Sequence, residues 1–170
     1  MNINSLKTKI NNKAKKDNLS PQDLMQMYFF ERILYRISIS DFKYNFIIKG
    51  GLLLSSMFDN ETRTTQDMDT MIKGIKISEE KLRNVLEGIL SINTDDNIKF
   101  EILSFRRIRE ENLYGGYRVS LKAILDSLNI MLKIDVTTGD PIIPKEIEYE
   151  KFSNAVLKIV EIMSTLKQTV

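Results

Sequence analysis

The sequence predicts an α+β domain in which helices precede and pack on a mixed sheet. Three observations predict it. Apolar residues recur at helical spacing in two stretches before residue 40, and a strand, a glycine pair and a helix follow one another between Phe46 and Phe58. Period-two alternation then dominates three segments between residues 98 and 138. A chain of 170 residues suits one core. We read 1–170 as a single domain, with 1–19 a basic N-terminal helix segment and 145–170 unassigned, Ala155 to Leu166 being apolar enough for strand or helix.

Ile3, Leu6 and Ile10 stand at helical spacing among lysines and asparagines and predict an amphipathic helix over 3–17. Ser20-Pro21-Gln22-Asp23 is a helix start, because Ser caps, Pro fits the first turn and Asp suits the positive end. The helix that follows runs from Pro21 to about Ile37. Its Leu24, Tyr28 and Leu34, widened by Met27, Phe30 and Ile33, predict burial on more than one side. Phe46-Ile47-Ile48 reads as a strand, Gly50-Gly51 as a turn, Leu52 to Phe58 as a helix and Asp59 to Gln66 as a loop. Asp67 to Ile72 is a second strand, and Ser78 caps a helix with Leu82, Val85, Leu86 and Ile89 inside. Residues 98–108, 117–125 and 129–138 form an antiparallel meander, with Gly115-Gly116 and Asp126-Ser127 in its turns.

The composition excludes several chemistries. There is no Cys and no His, so disulfides, thiolate nucleophiles, histidine bases and Cys/His zinc sites are ruled out. Any metal is held by oxygen, which suits Mg²⁺ or Mn²⁺. A net charge of +2 is too small for a general polyanion-binding surface, and Lys7, Lys9, Lys13, Lys15 and Lys16 read most simply as a solvated helix face. No apolar run approaches the roughly 20 residues of a membrane span and no signal peptide is evident. A cytoplasmic location is expected.

Three segments carry the candidate chemistry. In a strand, Asp67 and Asp69 point to one face, and two neighbouring carboxylates need a cation, a basic partner or solvent. An isolated pair of this kind is also what an acidic surface loop looks like. Asp135 is the context: from Ile130 to Thr137 the even positions are apolar, and Asp135 stands on the polar face with Lys133 and Thr137. An ion pair to a lysine explains Asp135 equally well by itself. If its strand lies beside the other, the three carboxylates come within reach of two metal ions about 3.5–4 Å apart, a geometry for phosphoryl or nucleotidyl transfer. Lys49-Gly50-Gly51 adds a turn whose backbone can approach a phosphate ahead of a helix N-terminus. Ser55 is most simply a small packing residue. Neither G-x-x-x-x-G-K-[ST] nor G-x-G-x-x-G is present, which argues against a P-loop or dinucleotide site.

Together, Phe46-Ile47-Ile48-Lys49-Gly50-Gly51, Arg63-Thr64-Thr65-Gln66-Asp67-Met68-Asp69 and Leu132-Lys133-Ile134-Asp135-Val136 resemble the nucleotidyltransferase toxins of the AbiEii/AbiGii abortive-infection type over roughly residues 20–150. The resemblance implies a DNA polymerase β-like nucleotidyltransferase fold. It implies that Asp67 and Asp69 hold metal, that Asp135 is the third catalytic position, and that Lys49, Gly50, Gly51, Arg63 and Thr65 bind nucleotide. The implied activity moves a nucleoside monophosphate from a nucleoside triphosphate (NTP) to an acceptor hydroxyl, RNA such as a tRNA end, with Mg²⁺ or Mn²⁺ as cofactor. The implied setting is a toxin–antitoxin or phage-defence pair with a cognate antitoxin as partner. Family members continue into a longer helical part with a lysine-bearing motif, for which Lys167 is a loose counterpart. A shortened chain of this kind gives an alternative expectation: a catalytically silent remnant that binds nucleotide or partner.

Overall fold

Ser20 starts the central helix as its position predicts: its hydroxyl accepts from the Asp23 N–H at 3.4 Å and Pro21 opens the first turn. The computed structural model describes residues 3–52, 65–74, 78–108 and 115–138. In it α1 spans Ile3–Asp17, α2 Pro21–Ile39 and α3 Glu79–Leu90. Helix α2 runs past the expected Ile37, and Ser40 closes it by bonding the Ile37 carbonyl. Met25, Tyr28, Phe29, Phe30, Ile33, Leu34 and Ile37 are all buried on it, so α2 is covered on more than one side as its wide stripe predicts. Helix α1 supplies one of those covers through Leu6, Ile10 and Ala14, with its lysines outward or half-buried. Burying side chains such as Leu6 and Ile10 contributes about 1.5–3 kcal/mol each.

Five strands form one mixed sheet: β1 (Phe46–Lys49), β2 (Met68–Ile72), β3 (Lys99–Ile108), β4 (Gly116–Leu125) and β5 (Leu128–Thr138), in the spatial order β1-β2-β5-β4-β3. All pairings are antiparallel except β2 with β5. The meander read from the sequence is β3-β4-β5, and its last strand inserts beside β2. Alternation sorts the faces: Val119, Leu121, Ala123, Leu125, Leu132, Ile134 and Val136 turn into the core with α2 and α3. The opposite face carries Arg118, Ser120, Lys122, Lys133 and Asp135, with Ile124 and Met131 toward the hairpin end.

At the far end, Arg36 of α2 is almost wholly buried and fully used. It donates to both Asp96 oxygens at 2.9 and 2.8 Å and to the carbonyls of Ile92, Ile98 and Arg32. Its guanidinium also lies 5.0 Å from the Phe100 ring centroid. This clip fixes the connection from α3 into β3, and so the side of the sheet remote from β1.

Two expectations need correcting. Asp67 is not in a strand: it occupies a bend, and β2 begins at Met68. Gly116 is not merely a turn residue but the first position of β4, where a Cβ would press on the Val136 carbonyl 2.8 Å away. The helix expected from Leu52 enters the described residues only at its start, where Gly51 and Leu52 are helical. The readings of Arg63, Ser55, Lys167 and 145–170 concern residues outside those described.

Candidate active site

One lateral row crosses the whole sheet. Lys49 on β1 pairs with Asp69 on β2, Asp69 with Asp135 on β5, Asp135 with Arg118 on β4, and Arg118 with Arg106 on β3. Cross-strand partners share a face and neighbouring strands are about 4.8 Å apart. Two carboxylates therefore stand side by side in mid-sheet, flanked by a lysine on one side and arginines on the other. Asp67 reaches the same group from the bend before β2, its carboxylate 4.0 Å from the Arg118 guanidinium. The strands predicted to converge do so, with Asp69 directly opposite Asp135.

The electrostatics of the row are uneven. Burial, then the charges of Asp67 and Asp135, push the Asp69 carboxyl above the ordinary aspartate range, and Lys49 and Arg118 offset this only in part. Asp135 has its own counter-ion: Arg118 Nε and Nη2 each donate to one of its oxygens at 2.7 Å, the two-pronged geometry a guanidinium favours. The same bonds push the Arg118 guanidinium to a still higher pKa.

The glycine turn abuts this row. Gly50 has φ +67°, a left-handed conformation, and a Cβ there would overlap the Asp69 carboxylate. A side chain is excluded at the position where backbone meets acid. A Cβ on Gly51 would sit 3.1 Å from the Thr65 hydroxyl, which itself donates to the Asp67 carbonyl at 2.9 Å. Thr65 thus braces the bend that presents Asp67. Lys49 Nζ lies 3.2 Å from the Thr137 hydroxyl, beside the acids. Apart from Arg63, every nominated residue falls in this one neighbourhood.

Arg118 and Arg106 are the residues the sequence reading missed. A signal for Arg118 exists: the Asp126-Ser127 turn joins Leu125 directly to its partner Leu128, and seven steps back along β4 and seven on along β5 reach Arg118 and Asp135. Arg106 is harder, because β3 is bulged between Ile102 and Ser104 and the count slips there.

Oxygen donors paired on adjacent strands have the chemistry for a hard divalent cation. As the side chains stand, no group of three acids among the described residues is disposed to surround one, and both Asp135 oxygens face Arg118. Asp67, Asp69 and Asp135 offer the oxygen chemistry such an ion takes, with Arg118 standing in the position of counter-charge. A cavity of about 510 Å³ lies elsewhere, between α3 and β3; of its charged lining residues Arg36, Glu87, Asp96 and Lys99, Arg36 and Asp96 are committed to one another.

The model of the family described as "Nucleotidyl transferase AbiEii toxin, Type IV TA system" matches residues 32–161. The chain belongs to the AbiEii nucleotidyl transferase toxin family. The match takes in the glycine turn, the Asp67 and Asp69 segment and Asp135. No curated protein matches the chain. Among solved structures, JHP933 from Helicobacter pylori is similar at 16% identity and a TM-score of 0.46, over 76% of this chain and 51% of that one. The chain thus spans about half the length of that protein. Membership of the AbiEii family and the five-stranded mixed sheet agree with a nucleotidyltransferase-type α+β domain. No helix among the described residues is long and apolar enough to cross a membrane.

Proposed function

We propose that this chain is a metal-dependent nucleotidyltransferase of polymerase β-like fold. It moves a nucleoside monophosphate from an NTP to an acceptor hydroxyl, with RNA as the acceptor, as the toxin of a pair completed by a cognate antitoxin. The observation that carries the proposal is the register pairing of Asp69 with Asp135 beside a glycine whose missing side chain leaves room at the Asp69 carboxylate. Family membership supports the reaction class.

In this reading Asp67, Asp69 and Asp135 hold Mg²⁺ or Mn²⁺, which when bound supplies positive charge to the triphosphate and the reacting oxygens. Lys49, the Gly50-Gly51 backbone and Arg63 receive the phosphates, and Thr65 keeps the bend of Asp67 in place. The acceptor oxygen attacks the α-phosphorus, the new P–O bond replaces the bond to pyrophosphate, and the hydroxyl proton passes to a carboxylate, for which Asp135 is our choice. With no histidine in the chain, a carboxylate is the natural base near neutral pH.

The test is label transfer from each of four α-³²P NTPs to total RNA in Mg²⁺. Wild-type chain is expected to label RNA and both Asp69→Asn and Asp135→Asn to lose at least about a hundredfold of that activity. Transfer that survives both substitutions overturns the assignment. Arg118 bridging toward two of the three acids favours one second reading, nucleotide binding without turnover. Calorimetric binding with no labelled product selects it.

A further inference from the structure

Arg118 is placed where neither the family match nor the sequence motifs assign a role, and its contacts conflict with a cation on Asp135. Its guanidinium takes both oxygens of Asp135 at 2.7 Å and approaches Asp67 at 4.0 Å, so one side chain engages two of the three proposed ligands. The Arg118 side chain is 40% exposed while Asp135 is only 14% exposed. The arginine can therefore swing into solvent with little desolvation, whereas the carboxylate stays fixed by its strand. On the other side Arg118 faces Arg106, its register partner and a like charge on the exposed edge of the row. Two guanidiniums of like charge on register partners favour an anion next to them.

We propose that Arg118 works as an exchangeable counter-cation. It occupies Asp135 in the free protein, yields it to the divalent ion, and turns with Arg106 to the phosphate chain of the incoming nucleotide. This rests on the reading of the three acids as a cation site. Its consequence is thermodynamic linkage: cation alone binds against Arg118, polyphosphate alone binds an arginine still held by Asp135, and each improves the other's affinity by the same factor. The arrangement discourages the site from filling with a bare ion when no nucleotide is present.

The test uses the full chain and two probes with readouts independent of turnover. Mn²⁺ binding is followed by electron paramagnetic resonance in the absence of nucleotide. Tripolyphosphate, the part common to every NTP, is titrated calorimetrically in the absence of divalent ion. Arg118→Gln is expected to bind Mn²⁺ about five- to tenfold more tightly than wild type and tripolyphosphate about five- to tenfold more weakly. Arg118→Lys keeps the charge but loses the fork, and should fall between them for both probes. It also carries the test if Arg118→Gln fails to fold by circular dichroism. A merely structural arginine would weaken both probes or move neither, and either result overturns the proposal. Asp69→Asn and Asp135→Asn separate the two levels. If both retain wild-type Mn²⁺ affinity, the cation site itself is wrong. If they lose it while Arg118→Gln and Arg118→Lys match wild type, the counter-cation role alone is overturned.

Discussion

Asp69 and Asp135 are direct partners on the one parallel strand pair of the sheet. Each carries a charge that its neighbour opposes, and the Asp69 carboxyl is raised accordingly, first by burial and then by Asp67 and Asp135. A folded-state value above the unfolded one means a contribution to stability that is full at low pH and lost as pH rises through the folded value. Near neutral pH the Asp69 charge therefore works against the fold. Asp69→Asn is expected to raise the unfolding free energy at pH 8 without divalent ion by up to about 1 kcal/mol, seen as a higher urea midpoint, while costing transfer at least about a hundredfold. An unchanged or lowered midpoint would show that the like-charge contact is already neutralised by Lys49 and Arg118.

Gly50 and Gly51 should differ sharply under the same substitution. Gly50→Ala forces a Cβ into left-handed backbone and onto the Asp69 carboxylate, at a cost of about 1–2 kcal/mol from the backbone alone. Gly51→Ala meets only the Thr65 side chain at 3.1–3.2 Å and needs a shift of a few tenths of an ångström. Paired denaturation curves are expected to rank Gly50→Ala well below Gly51→Ala. Equal stabilities would contradict the close approach of turn and acid.

Glu31 offers a pH signature remote from the site. It is 2% exposed, accepts from Arg32 at 2.6 Å through one oxygen, and its carboxyl is pushed up to about 7, chiefly by burial. Its contribution is therefore present below the unfolded value near 4.5 and is lost as pH rises through about 7. The full effect is on the order of 3 kcal/mol. Glu31→Gln removes the titrating proton, so the difference between wild type and variant should grow in the variant's favour from pH 5 to pH 8. Parallel curves across that window, read by thermal denaturation, would place the Glu31 pKa in the ordinary range.

The Arg36–Asp96 clip should dominate any stability scan. Asp96→Ala leaves a buried guanidinium with carbonyl partners but no counter-charge, which costs about 3–5 kcal/mol. Burial alone would raise the Asp96 carboxyl, but hydrogen bonds from Arg36 and the Ile98 N–H, with the Arg36 charge, outweigh it and pull it below the ordinary aspartate range. A loss below about 1 kcal/mol in chemical denaturation would mean that water reaches Arg36.

Local pattern made much of this molecule legible. Ser20-Pro21 and Ser78 mark helix starts that bond as caps should, and the alternation from Ile130 to Thr137 puts Asp135 on the polar face where the strand indeed turns it. The DxD spacing implied a shared strand face for Asp67 and Asp69, yet the Thr65 hydroxyl binds the Asp67 carbonyl and the strand starts one residue later. Pattern fixes the face a residue takes but not its lateral neighbour. Arg118 became visible only by counting from the Asp126-Ser127 turn, and Arg106 required a bulge that no residue in Ile102 to Ser104 advertises. The parallel docking of β5 on β2 joins segments some sixty residues apart, so it depends on tertiary packing and has no local signature.

The sheet order has a bearing on synthesis. Strand β5 is the last to leave the ribosome among the five, and it is the wedge between β2 on one side and β4 on the other. Until it arrives, the early pair and the late hairpin are separate ribbons with bare inner edges, and the acids of one have no counterpart on the other. A nascent or prematurely ended copy therefore lacks the Asp69–Asp135 pairing, which forms only when β5 is in place.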